Sequence, residues 1–258
     1  MKRTVLILLV AAVAFAWSAP KFGSFKDPRD GQVYKTVKIG YQTWMAQNLN
    51  YGKALEGEAT LSSGEKWCYG DTLANCEKYG GLYSWDVAQN SCPAGWHLPA
   101  KDEWETLVLF IRKARTEKVC GEKYLDGSCK TWKDQEPDVN KELKSRTDEW
   151  EEGALKKGMR KGTDTWGFSA LPVGNRNSDG TFVSLEIGYW SATLFENESN
   201  ALYMCLSHLN LEGLVDALKE THHSQEQINS SMRSYIHQSH KLCIRSVEEG
   251  IPVRCVKD

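Results

Sequence analysis

Apolar and polar residues alternate along the segment 32–45, from Val33 to Ile39 and on past a turn at Gly40. Alternation of this kind on both sides of a glycine turn is typical of two paired strands, because successive side chains of a strand point to opposite faces. We therefore predict a β-hairpin over this segment.

A second pattern follows Pro99, where four apolar residues recur at helical spacing. They are Trp104, Leu107, Val108 and Ile111. Positions i, i+3, i+4 and i+7 share one face of a helix. Acidic residues lie in the expected first turn, where they suit the positive end of the helix dipole. The pattern predicts an amphipathic helix that packs its apolar stripe against a sheet.

The remaining patterns are weaker. The segment 80–88 begins with two glycines and predicts a short helix, and the charged segment 118–152 predicts a surface excursion with a short helix around Leu143. Apolar residues at 201–206 and 241–247 predict strands. The polar segment 208–240 between them predicts a long loop.

The chain begins with two basic residues and an unbroken apolar run from Val5 to Ala16. This run is too short to cross a bilayer, and it ends in the small-x-small triplet 14–16, as secretory signal peptides do. We expect a signal peptide over 1–16, a linker over 17–27 and a single domain over 28–258, with no transmembrane anchor. The mature protein would be secreted, periplasmic or on the cell surface.

All 8 cysteines lie after this leader. An even number of cysteines in an exported chain predicts disulfides. A structural zinc site is disfavoured because the chain has no Cys-x-x-Cys pair, from which such sites usually draw their thiolates. The count alone leaves the pairing open.

The charge balance excludes a general attraction to polyanions. Loss of Lys2 and Arg3 with the leader would leave 30 basic residues against 34 acidic ones. A chain with this net negative charge offers no broad electrostatic surface for nucleic acid or anionic membrane. The 10 Trp and 10 Tyr are a large aromatic content for a polar chain. Such rings fill cores, and they also form platforms on which sugars and peptides stack.

Several motifs occur in a fixed order along the chain. They are Trp44-Met45-Ala46-Gln47-Asn48-Leu49, Tyr79-Gly80-Gly81-Leu82-Tyr83-Ser84-Trp85, Cys92-Pro93-Ala94-Gly95-Trp96-His97-Leu98-Pro99, Gly167-Phe168-Ser169-Ala170-Leu171-Pro172, Tyr189-Trp190-Ser191-Ala192 and Val253-Arg254-Cys255-Val256. Together they resemble the Fibrobacter succinogenes major paralogous domain, a family of exported bacterial proteins, over about residues 28–258.

That family is similar to the C-type-lectin-like fold, which also underlies formylglycine-generating enzymes. The resemblance implies an α+β domain with short helices, twisted antiparallel sheets, long loops and disulfides. It also implies four bridges. They are Cys68–Cys76, Cys92–Cys255, Cys120–Cys129 and Cys205–Cys243. Cys243 lies on a similar strand to Cys255, so it remains an alternative partner for Cys92.

A calcium site of the lectin type needs two groups of oxygen ligands. Glu136-Pro137-Asp138 is similar to the first of these, but Trp190-Ser191-Ala192 lacks the oxygen-rich pair of the second. We therefore expect no metal and no cofactor, with calcium as the alternative. The alternative for the first triplet is an acidic surface turn.

Catalytic patterns are incomplete, and we assign no catalytic residue. The segment Gly167–Leu171 begins like a nucleophile elbow but lacks its final glycine. None of the cysteines maps onto the copper-binding pair of formylglycine-generating enzymes. The acidic residues of 148–152 could include a glycosidase pair, and a solvated charge run explains them better.

The best candidate ligand-binding residues lie in the loops between 166 and 190. They are Trp166, Asn175, Arg176, Asn177, Tyr189 and Trp190. The asparagines and the arginine offer donors and acceptors, and the three rings could serve as platforms. Their alternative role is structural, in the core or in turns.

The sequence thus favours an exported, non-enzymatic binding or adhesion module of the cell envelope or secretome, with a glycan or an envelope or extracellular polymer as its partner. The alternatives are an enzyme related to formylglycine-generating enzymes and an envelope structural or interaction protein.

Overall fold

The structure is a computed structural model that describes residues 20–57, 60–125, 127–150, 161–183, 187–206 and 242–258. The signal peptide expected over 1–16 and the loop expected over 208–240 lie outside the described residues.

The described residues form sixteen strands and four α-helices. The strands are β1 (Lys21–Lys26), β2 (Val33–Ile39), β3 (Gln42–Met45), β4 (Lys53–Leu55), β5 (Glu65–Trp67), β6 (Leu82–Tyr83), β7 (Trp96–His97), β8 (Glu117–Lys123), β9 (Cys129–Gln135), β10 (Asn175–Arg176), β11 (Phe182–Val183), β12 (Gly188–Phe195), β13 (Asn197–Cys205), β14 (Cys243–Ser246), β15 (Ile251–Pro252) and β16 (Val256–Lys257). The helices are α1 (Leu73–Tyr79), α2 (Trp85–Ala88), α3 (Lys101–Arg115) and α4 (Val139–Leu143).

The largest sheet has the order β1-β2-β3-β16-β7. Its strands β2 and β3 form the hairpin predicted from the alternating pattern, with Val37 opposite Trp44. The linker expected over 17–27 is wrong from Lys21 onward, because β1 pairs with β2 along its whole length. The side chains of β1 are mostly exposed, so the sequence lacks the apolar alternation that would have revealed this strand.

The other sheets are smaller. One has the order β15-β6-β5-β4, one has the order β12-β13-β14, and two are the pairs β8-β9 and β10-β11. Among the strands of the described residues, all pairings are antiparallel except that of β4 with β5, which is parallel. With its short helices, antiparallel sheets and disulfides, the described part of the chain has the α+β architecture expected.

Helix α3 confirms the amphipathic pattern, and its four apolar residues are buried. It packs against β12, where the rings of Trp104 and Tyr189 lie 6.1 Å apart and nearly parallel. On the opposite side Trp104 contacts Trp44 of β3, at 4.6 Å between ring centroids. The helix therefore joins two sheets through one tryptophan.

Two sequence predictions need correction beyond the linker. The segment 80–88 is not one short helix, because strand β6 precedes α2. In the segment 118–152, the short helix predicted around Leu143 is confirmed as α4, but the described residues are a surface excursion only as far as Asp138. From Val139 onward, the chain turns inward, and both Leu143 and Trp150 are fully buried.

A buried arginine joins the ends of the fold. Arg254, just before β16, is inaccessible to solvent. Its guanidinium donates to the carbonyl of Met45 at 3.1 Å, to the side-chain oxygen of Asn48 and to the hydroxyl of Tyr189 at 3.0 Å. The planar group also lies 4.4 Å from the ring centre of Phe168. The three hydrogen bonds satisfy donors that burial would otherwise leave unpaired.

The four disulfides implied by the family resemblance are present. They are Cys68–Cys76, Cys92–Cys255, Cys120–Cys129 and Cys205–Cys243. The alternative of Cys92 with Cys243 is wrong, because Cys243 on β14 bonds to the neighbouring strand β13.

Candidate functional site

The three rings expected as ligand platforms lie in the protein interior. Trp166, Tyr189 and Trp190 are each less than a twentieth exposed. The indole of Trp166 donates to a side-chain oxygen of Glu142 at 2.7 Å, and that of Trp190 donates to the carbonyl of Tyr83 at 2.7 Å. A ring face packed on both sides offers no surface to a sugar, so the platform role is wrong for these residues. Their burial agrees with the alternative role in the core.

The polar residues of the same prediction lie around the pair β10-β11. Arg176 is buried and stacks on Trp67, with 4.3 Å between its guanidinium carbon and the ring centre. Its backbone pairs with Gly250 in both directions. Asn177 bonds to Thr181 across the turn that follows β10, through backbone and side chain. Arg176 therefore stacks on a ring as expected, but the ring belongs to the protein.

Asn175 differs from these neighbours. Its side chain is almost completely buried, and neither its amide nitrogen nor its carbonyl oxygen has a hydrogen-bond partner. Both polar atoms of its side chain lack a hydrogen bond, and the structure brings Asn175 together with Arg176 rather than with the three rings.

Exposed aromatic groups occur instead on the two-stranded hairpin β8-β9. Trp132 in β9 is 63% exposed, and Tyr124 in the connecting turn is 56% exposed. Leu125 beside it is fully exposed. Large apolar side chains in such number on one projecting element are unusual for a protein surface that serves no contact. We call the segment 117–135 the stapled hairpin.

Two kinds of side-chain contact hold the stapled hairpin in shape. The disulfide Cys120–Cys129 closes it near the turn. Ion pairs cross between the strands, with Lys130 at 3.3 Å from Glu122 and Lys118 at 2.5 Å from Asp134. Exposed ion pairs contribute little each, so the covalent link is the principal constraint.

The base of the stapled hairpin is fixed to α3. Strand β8 begins two residues after the helix ends, where the backbone of Thr116 donates to the carbonyl of Arg112 at 2.8 Å. Glu136, directly after β9, lies 3.5 Å from the side-chain nitrogen Nε of Arg112. Both ends of the stapled hairpin therefore meet the last turns of one rigid helix.

The residues considered for a calcium site and for a nucleophile have structural partners instead. Glu136 faces Arg112, and Asp138 accepts a hydrogen bond from the backbone of Lys141 at the start of α4. Within the described ranges, no three His, Cys, Asp or Glu residues are grouped to hold a metal ion. The hydroxyl of Ser169 donates to Asp164 at 2.7 Å and stabilises a turn in which Ser169 has a φ of 55°.

All eight cysteines are described and all are bonded in disulfides. A thiol pair for copper, on which the formylglycine-generating alternative depends, is therefore missing. Disulfides of this number are typical of proteins in an oxidising compartment.

Sequence reasoning missed the stapled hairpin, although one signal was present. Asp126-Gly127 is a frequent two-residue turn between paired strands, and it lies between Cys120 and Cys129. The charged residues on both sides hid it, because they remove the apolar alternation by which a half-buried strand is recognised.

Comparisons with known proteins give a family and no activity. Across the described ranges, no helix has the length and apolar character needed to span a bilayer. No curated protein and no solved structure matches the chain. The model of the Fibrobacter succinogenes major domain matches residues 37–257, which include the motifs from the first strands to the last. The chain therefore belongs to the Fibrobacter succinogenes major domain family.

Proposed function

We propose that this protein is an exported, non-enzymatic binding or adhesion module that contacts polysaccharide through the stapled hairpin. The observation that carries this proposal is the exposure of Trp132 and Tyr124 on an element held rigid by the disulfide Cys120–Cys129. A rigid aromatic surface loses little conformational entropy on binding, so more of its contact energy becomes affinity.

The chemistry of the stapled hairpin fits a neutral, hydroxyl-rich polymer. Ring faces pack against the apolar faces of sugars, while Lys130 and Asp134, on the same face of β9 as Trp132, supply donors and acceptors for hydroxyl groups. Acidic and basic residues are interleaved along both strands. This mixed charge disfavours nucleic acid or anionic membrane, which select for a field of one sign.

The proposal includes export and a C-type-lectin-like architecture. The four disulfides support export, since they persist in oxidising compartments. The bridge Cys92–Cys255 supports the architecture, because it links the approach to α3 with the last strand, as the family resemblance implies. An experimentally determined structure that superposes poorly on lectin-like domains would remove the second part.

The same surface also suits an envelope interaction protein, the second candidate. Leu125 at the tip is apolar and fully exposed, and an aliphatic tip favours a protein partner over a sugar. Affinity for purified polysaccharide separates the two candidates.

The test is binding to insoluble and soluble polysaccharides, measured by co-sedimentation and by tryptophan fluorescence. We expect Trp132→Ala to weaken binding about tenfold, because one ring stack contributes about 1 kcal/mol beyond its buried area. Trp132→Phe should keep most of the affinity. Tyr41→Ala is the matched control, since Tyr41 is 95% exposed in the turn between β2 and β3, on a different element.

Two results would overturn the proposal. One is the absence of binding to every polysaccharide tested. The other is equal affinity of Trp132→Ala and Tyr41→Ala, which would place the contact surface elsewhere on the molecule.

A further inference from the structure

A groove of about 540 Å³ lies between α3 and the three-stranded sheet, and its lining does not include the exposed rings of the stapled hairpin. This volume falls within the range of small-molecule sites. Its floor is apolar and is formed by Trp104 and Val108 of the helix and by Leu202 and Met204 of β13.

The helix gives the groove a defined length and two charged ends. Lys101, Trp104, Val108 and Arg112 follow at intervals of three or four residues and so share one face of α3. Lys101 and Arg112 are eleven residues apart, which corresponds to about 16 Å along the helix axis. The apolar floor lies between these two cations.

The charges at the two ends differ in how well they are satisfied. Lys101 lies 3.7 Å from Glu105, one turn along the helix, and Glu105 also lines the groove, so the charge at this end is balanced. Arg112 lies 3.5 Å from Glu136, close enough for ion pairing, but its Nε is buried and makes no hydrogen bond. Glu136 therefore attracts the guanidinium but is not aligned to accept a hydrogen bond from Nε. The groove ends at a cation whose described carboxylate neighbour is exposed and leaves this donor without a hydrogen bond.

We propose that this groove binds an amphipathic carboxylate, with its apolar body on Trp104, Val108, Leu202 and Met204 and its carboxylate accepting a hydrogen bond from Arg112. The apolar floor excludes water from the body of the ligand, and the guanidinium supplies the charge-assisted bond that fixes its orientation. Neutral amphiphiles of equal length would fill the floor and leave Arg112 unsatisfied.

The experiment measures binding of dodecanoate and of dodecanol to the full chain by calorimetry and by tryptophan fluorescence. We expect dodecanoate to bind more tightly than dodecanol. Arg112→Gln should weaken dodecanoate binding about tenfold or more and leave dodecanol nearly unchanged, since the substitution removes a charged donor and keeps the apolar floor. Lys113→Gln is the control, because Lys113 is exposed on the same helix, carries the same charge and does not line the groove.

A second variant guards against a folding defect. Arg112→Lys keeps the charge and loses the Nε donor, so it should bind dodecanoate with intermediate affinity. Leu109→Glu places a carboxylate at the exposed rim of the groove and should repel dodecanoate more than dodecanol. Each variant is compared with the native chain by circular dichroism.

The proposal is overturned if dodecanoate does not bind, if dodecanol binds equally well, or if Arg112→Gln and Lys113→Gln have the same affinity. Trp132→Ala should leave dodecanoate binding unchanged, so that failure here is distinct from failure of the polysaccharide proposal.

Discussion

His97 bonds through both ring nitrogens to carboxylates from different parts of the chain. Nδ1 lies 2.6 Å from Asp258, and Nε2 lies 2.8 Å from Glu103. Burial alone would lower the pKa of His97, but the hydrogen bonds to Asp258 and Glu103 raise it above its ordinary value of 6.5. Glu103 also accepts from the backbone of Ala100 at the start of α3, so one carboxylate serves the helix and the histidine.

The raised pKa predicts a pH dependence of stability with a definite sign. The folded state holds the proton of His97 more tightly than the unfolded state does, so this stabilisation is complete below pH 6.5 and is lost as the pH rises through the folded pKa. We expect His97→Gln to remove that loss. Urea denaturation between pH 5 and 9 measures it, and a proton NMR titration of the imidazole locates the folded pKa.

Asp258→Asn serves as the companion variant. It removes one of the two carboxylates, so it should lower the pKa of His97 and move the loss of stability to lower pH. If the native protein and His97→Gln showed parallel profiles of stability against pH, the two ion pairs of His97 would not contribute to stability.

Single residues also show where sequence reasoning stops. Trp166, Tyr189 and Trp190 lie in loop-like sequence beside glycines and polar residues, so local pattern could not reveal that α3 and the sheets cover them. Trp132, between Thr131 and Lys133, has the reverse problem. Its neighbours predict exposure but not an ordered strand. Burial depends on which distant segments pack together, and one sequence carries that only weakly.

At the scale of elements, the stapled hairpin depends on its own covalent link. An isolated pair of strands is marginally stable in water, and most side chains of β8 and β9 are exposed. A bridge across a loop as short as Cys120–Cys129 contributes about 2.5 kcal/mol in the chain-entropy model. We therefore expect the double substitution Cys120→Ala and Cys129→Ala to open the hairpin without unfolding the rest.

Hydrogen exchange with mass spectrometry measures this outcome peptide by peptide. Amides of 117–135 should lose protection in that variant, while amides of α3 keep theirs. The substitution of Cys68 and Cys76 is the control, since it opens an equally short loop elsewhere and should leave 117–135 protected. Unchanged protection in the hairpin would assign its stability to the strand pairing alone.

Elements also differ in how far the sequence predicts them. Helix α3 and the hairpin β2-β3 follow from local periodicity, because each buries one face and exposes the other. Strands such as β7 and β16 do not follow from local periodicity. Each has only two residues, which are too few for a period to appear, and its pairing depends on the sheet into which it fits.

At the scale of the molecule, the disulfide Cys92–Cys255 closes a far longer loop than any other bridge. Its cysteines are 163 residues apart, against 8 for Cys68–Cys76. In the chain-entropy model, loss of the long bridge costs about 4 to 5 kcal/mol and loss of the short one about 2.5 kcal/mol. We expect the double alanine variant of the long bridge to show the larger drop in the free energy of unfolding.

Chemical denaturation of the two double variants beside the native protein gives the comparison. Equal losses would contradict the chain-entropy account and would indicate that local packing around each bridge decides its effect. The pairing of this bridge came from the family resemblance, since the number of cysteines fits many pairings and no local pattern chooses among them.

The position of β16 has a consequence for biosynthesis. Val256 is opposite Trp44 of β3 on one side and His97 of β7 on the other, so the two parts of the largest sheet meet only through this strand. A chain that leaves the ribosome or a translocation channel N-terminus first cannot complete that sheet until residue 257 has emerged. Until then the edges of β3 and β7 that pair with β16 are open, and open strand edges favour aggregation.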